Sequence, residues 1–117
     1  MNAYLQQTSA KILFFLTLTA VTILAFLPNY DALPPFVSFS DLLNHALAFA
    51  VLYILFKKAY PSFSTVRIIL PLLLYAVWIE SVQYFLPTRY ASLSDIAADS
   101  VGLLAAYLVT FLFRKFT

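Results

Sequence analysis

Glu80-Ser81-Val82-Gln83-Tyr84-Phe85-Leu86-Pro87-Thr88-Arg89-Tyr90-Ala91-Ser92-Leu93-Ser94-Asp95-Ile96-Ala97-Ala98-Asp99-Ser100-Val101-Gly102 is the stretch whose reading decides the fold. It carries three of the chain's five acids, its one glycine and an arginine, and strongly apolar sequence flanks it on both sides. Ionisable groups at membrane depth are expensive, and they mark functional sites by default. The rest of the chain is read as the scaffold that holds this segment at one face of a bilayer.

Working outward, the composition supports that reading. The chain has 117 residues, of which 63% are hydrophobic and 10% charged. Soluble domains carry roughly 25% charged residues, so a soluble core is excluded and a single membrane-embedded domain, 1–117, is expected. Without cysteine there is no disulfide or thiolate chemistry. The net charge of +2 comes from basic residues that read as topology signals, and nothing resembles a nucleic-acid patch.

Four apolar runs predict an all-α membrane protein, a four-transmembrane-helix bundle with helices over about 5–27, 41–58, 67–86 and 95–114. Leu27-Pro28-Asn29-Tyr30 offers no small-residue cleavage site, so the first run is read as a retained span. Pro71 is placed in the first turn of the third helix, where proline is tolerated. With the N-terminus cytoplasmic, Lys11, Lys57, Lys58, Arg67, Arg114 and Lys115 all fall inside, six of the seven basic residues. Both termini are therefore expected in the cytoplasm of a bacterial-type plasma membrane. Arg89 alone breaks the pattern, which points to a specific contact.

The two halves echo one another. Phe26-Leu27-Pro28 recurs as Phe85-Leu86-Pro87, and Ser38-Phe39-Ser40-Asp41 as Ser92-Leu93-Ser94-Asp95. Four residues beyond each Asp stands a second polar group, His45 or Asp99. This is the pattern of a parallel duplication of two helical hairpins about an axis along the membrane normal. The positions matching Glu80 and Gln83 are Val21 and Leu24, so the polar cluster itself is not duplicated.

Each half also has a plain structural reading. Ser38-x-x-Asp41 and Ser92-x-x-Asp95 fit capping boxes, with Ser38 and Ser92 closing the helix starts and the acids complementing the helix dipole. His45 and Asp99 lie one turn deeper on the same faces, beyond what capping explains. Gly102 continues the face of Asp95 and Asp99 and permits close helix approach. Glu80 is expected roughly 10 Å below its helix end, counting 1.5 Å per residue from Pro87. A mid-membrane charge costs about 2.5–3.5 kcal/mol, so Glu80 calls for a proton or for a partner among Arg89, His45 and Gln83. Helix–helix hydrogen bonding is the plainer role for Glu80 and Gln83. The expected ligand-binding set is Asp41, His45, Glu80, Gln83, Arg89, Asp95 and Asp99, meeting beneath the outer surface.

These residues carry a resemblance. Asp41-x-x-x-His45-x-x-x-Phe49, Glu80-x-x-Gln83, Arg89 and Asp95-x-x-x-Asp99-x-x-Gly102 are together similar to the VanZ-like family of small membrane proteins, from Asp41 onward. The family often has Lys where this chain has Leu42, and commonly Asn where it has Asp99. The first departure removes an ion pair; the second adds negative charge. The resemblance implies a link to low-level resistance to the glycopeptide teicoplanin, but it supplies no agreed mechanism.

Two main functions remain open. One is a pocket that binds or modulates an envelope lipid or precursor head group, or a glycopeptide, with the Arg89 fork on a phosphate or carboxylate. The other is an enzyme on an interfacial substrate, with His45 or Glu80 as catalytic acid or base and a divalent cation on Asp41, His45, Asp95 and Asp99. Gly-rich phosphate loops and a His-Glu-x-x-His pattern are both absent. A third reading, a proton-relaying transporter built on Glu80, needs an oligomer because four helices are few for a complete path.

Overall fold

The computed structural model describes residues 2–26, 35–85 and 93–116, and the side chains of these except at 35–41 and 114–116. Its helices are α1 (Ala3–Phe26), α2 (Pro35–Ala59), α3 (Thr65–Tyr84) and α4 (Leu93–Phe116). At 1.5 Å per residue the 20 residues of α3, the shortest, reach about 30 Å, the thickness of a hydrocarbon core. All four contain windows long and apolar enough to cross a membrane. The chain is a multi-pass, all-helical membrane protein.

Burial has the membrane sense. Glu80, Gln83, Asp95 and Asp99 are buried, while Leu16, Ile23, Leu74, Leu104 and Phe113 face outward. Lipid solvates the apolar exterior, so polar groups are driven to the interior. The core is a cluster of Phe14, Phe49, Leu52, Tyr53, Ile68, Leu72, Ala76, Leu103 and Ala106. Helix α2 lies at its centre, packed most extensively on α4 and then on α1, while α3 makes lighter contacts with the other three.

The tightest approach is between α2 and α4. A Cβ built on Gly102 would fall 2.0 Å from the Ala46 carbonyl oxygen and 2.7 Å from its carbon. Backbone meets backbone here, and glycine is what the spacing requires.

Three boundary expectations are corrected. Helix α2 starts at Pro35, not near Asp41, because proline suits the first helical position, where its missing N–H has no partner to lose. Ser38 and Asp41 therefore lie within α2, and Ser38 does not cap its start. Helix α3 starts at Thr65 with Ser64 as its N-cap, the Ser64 hydroxyl accepting from the Arg67 N–H at 3.3 Å. Pro71 is consequently inside the helix, its seventh residue. The lost bond is to the Arg67 carbonyl in the first turn, near the polar end of the span, where such a loss is best tolerated.

At its other end α3 stops at Tyr84, with Phe85 as C-cap, two residues before the expected limit. The residue ahead of Pro87 disfavours helical geometry, which draws the end inward. Glu80 is thus four residues, about 6 Å, below the helix end rather than roughly 10 Å.

Candidate functional site

The centre of the polar site is made by α2 and α4. Asp95 and Asp99 project from one face of α4, one turn apart. His45 of α2 stands opposite both. Its Nδ1 lies 3.0 Å from Asp99 Oδ1, the distance of an N–H donated to a carboxylate, and its Nε2 lies 4.0 Å from Asp95 Oδ1. Asp99 is 1% exposed, so this contact sits within the bundle. The two positions that the repeat equates, His45 and Asp99, are the ones that meet across the axis. That juxtaposition depends on Gly102, which lets α4 approach α2 three residues further along.

Gln83 works at a different boundary. Its side-chain N–H donates to the Ala25 carbonyl at 2.7 Å, and Ala25 is next to last in α1. The last carbonyls of a helix lack intrahelical partners, so Gln83 closes the end of α1 from the side. Gln83 Oε1 is buried without a hydrogen bond among the described residues. The helix–helix role for Gln83 is thereby realised.

Two cavities flank the cluster. One, of about 180 Å³, lies among α1, α2 and α3 and is lined by Val21, Leu24, Ala25, Asn44, His45, Ala48, Phe49 and Ile79. The other, of about 450 Å³, opens sideways between α3 and α4 and is lined by Val77, Glu80, Ser81, Tyr84, Phe85, Leu93 and Ile96. Glu80 is 6% exposed at its wall, among apolar and hydroxyl-bearing neighbours. A carboxyl group in a largely apolar cleft can bind a hydroxyl, amide or amine with little competition from water.

The expected set therefore divides. His45, Asp95 and Asp99 come together; Glu80 and Gln83 are buried on α3, facing a cleft and α1 respectively. The side chain of Asp41, and the whole of Arg89 and Ser92, lie outside the described residues. Asp95 does occupy the first turn of α4, as capping requires. Among the described residues no three His, Asp or Glu side chains are grouped to hold a metal ion. The imidazole separates its carboxylates, one on each nitrogen, which does not make a shared coordination point.

Two features escaped the sequence reading. Asn44 lines the smaller cavity beside His45, and its adjacency to His45 was the available signal. Tyr75 hydrogen-bonds to Thr22 and donates to the Leu18 carbonyl at 3.3 Å, tying α3 to α1. Thr22 and Tyr75 sit in separate apolar runs, and nothing in either run pairs them.

No curated protein and no solved structure matches the chain. The family model described as VanZ/LLP1 matches residues 2–114, nearly the entire length, and the chain belongs to that family.

Proposed function

We propose that the protein binds or modulates the head group of an envelope lipid or lipid-linked precursor, at the polar end of its bundle. The observation that carries this is the pairing of a buried ionisable cluster, His45 with Asp95 and Asp99, with a cleft of about 450 Å³ that opens sideways and has Glu80 in its wall. An amphiphile can leave the bilayer through such an opening, keep its chain against Tyr84, Phe85 and Leu93, and present polar atoms to Glu80. Arg89, four residues before Leu93 in the sequence, supplies the cation for a phosphate or carboxylate. The site faces the outside of a bacterial plasma membrane, with both termini cytoplasmic, because six of seven basic residues gather at the opposite end.

The test uses the full chain in mild detergent with a polyprenyl phosphate as probe. Binding raises the melting temperature, and Arg89→Ala removes that rise while leaving the ligand-free melt unchanged. An equal rise in the variant overturns the reading. Orientation is read separately by placing single cysteines near residues 62 and 88, since the native chain has none. Only the cysteine near 88 is expected to react with an impermeant maleimide from outside. A part in teicoplanin resistance predicts that expression raises the inhibitory concentration of that drug, and that Arg89→Ala abolishes the increase.

A further inference from the structure

The opposite end of the bundle carries a second groove, independent of the polar site. It lies between the start of α1 and the end of α2, encloses about 570 Å³, and is lined by Gln6, Gln7, Ser9, Leu13, Leu55 and Lys58 among others. That volume is within the range of small-molecule sites. The basic residues around it have different tasks. Lys57 donates to the carbonyls of Pro61 at 3.3 Å and Phe63 at 2.7 Å, fixing the α2–α3 turn. Lys11 lies over the Tyr60 ring at 5.1 Å, and the Arg67 guanidinium over the Phe63 ring at 4.2 Å. Lys58 alone among these four makes no hydrogen bond, ion pair or ring contact with described residues, and its side chain lines the groove.

We infer that this groove binds one anionic phospholipid of the adjoining leaflet, its phosphate on Lys58 and its upper acyl chain along Leu13 and Leu55. Charge complementarity carries the assignment. No acid falls within residues 1–26 or 53–79, so every charged side chain in the segments that form the groove is basic. The groove is polar where Gln6, Gln7 and Ser9 can donate to phosphate and glycerol oxygens, and apolar toward the membrane interior. The contrast between Lys57 and Lys58 is informative. The first is consumed by the protein's own carbonyls, and the second extends into a space already lined with neutral donors.

The experiment is native mass spectrometry of the full chain in neutral detergent titrated with phosphatidylglycerol, and with phosphatidylcholine as the zwitterionic control. One tightly retained phosphatidylglycerol is expected, with at least about five-fold weaker retention of phosphatidylcholine. Lys58→Gln should weaken phosphatidylglycerol retention about five-fold, and Gln7→Leu about two-fold. Arg67→Gln removes the same charge from outside the groove and should change retention by less than two-fold. Equal losses in Lys58→Gln and Arg67→Gln would mean diffuse attraction and overturn the site, as would no loss in Lys58→Gln. Lys58 is exposed, so its variant is expected to melt as the native chain does.

Discussion

Two clefts lie on either side of this bundle, one among α1, α2 and α3 and one between α3 and α4, and they differ in kind. In the first, the α1 wall is Val21 and Leu24, facing His45 across about 180 Å³. In the second, Glu80 stands at the position matching Val21 and lines about 450 Å³, while Gln83, at the position matching Leu24, turns to α1 instead. The sequence echo covers both hairpins, while the Glu80–Gln83 chemistry is placed once. A pair of helices held on a common axis can thus keep one flank as structural packing and give the other to a ligand. The axis is the α2–α4 contact, where His45 meets Asp99 and Gly102 rests on Ala46.

Breaking the axis should have the largest effect. Gly102→Ala puts a methyl group 2.0 Å from a backbone oxygen, and no side-chain rotation relieves that overlap. The helices must part, at a cost near the upper end of the overpacking range, about 3 kcal/mol. Equilibrium unfolding in mixed micelles measures it, and a loss below about 1 kcal/mol would show that α2 and α4 can shift freely. Next comes Asp99→Ala, which removes the partner of His45 at the same interface. Polar contacts in bilayers reach about 1.7 kcal/mol at most, and a loss between about 1 and 1.7 kcal/mol is expected in the same assay. Asp99→Asn keeps an acceptor for the His45 N–H and should restore most of that stability.

What could be read from the sequence follows the same division. The four spans, and the central place of Asp95, Asp99, His45 and Gly102, were legible because membrane depth penalises polar residues and helical spacing assigns them a face. The i, i+4 spacing of Asp95 and Asp99 was enough to put both opposite one partner. Helix ends were less legible. The Ser38-Asp41 pattern copies a helix start, but Pro35 begins α2 earlier, and the pattern ends up inside the helix. Asp41 is the seventh residue of α2 and Asp95 the third of α4, so the repeated motif is offset by four residues, about one turn. One turn preserves the face, so His45 still points inward despite the wrong boundary, and its contact with Asp99 is a finding of the structure. The partners of Gln83 and Thr22 were not legible. Both involve main-chain carbonyls of α1, at Ala25 and Leu18, and a carbonyl is present at every position in every sequence.

Converting the second cleft into the first gives the sharper tests. Glu80→Val installs the residue that α1 carries at the matching position. Removing a buried carboxyl lifts its desolvation cost as well as its contacts, so stability should move by less than about 1.5 kcal/mol. The rise in melting temperature given by a polyprenyl phosphate should vanish. Retention of that rise would place the head group elsewhere.

Gln83→Leu, which installs the residue α1 carries at the matching position 24 but lies outside the cleft, should have the smallest effect of all. It loses one hydrogen bond to the Ala25 carbonyl, for which the bilayer average is about 0.6 kcal/mol. It also removes Oε1, a buried acceptor with no hydrogen bond among the described residues, whose burial works against the native fold. The two changes oppose each other, and leucine fills nearly the same volume. A net change within about 0.5 kcal/mol of zero is therefore expected. A loss above about 2 kcal/mol would mean that Gln83 does more than close the end of α1. The clefts would then differ in how they are held together and not only in what lines them.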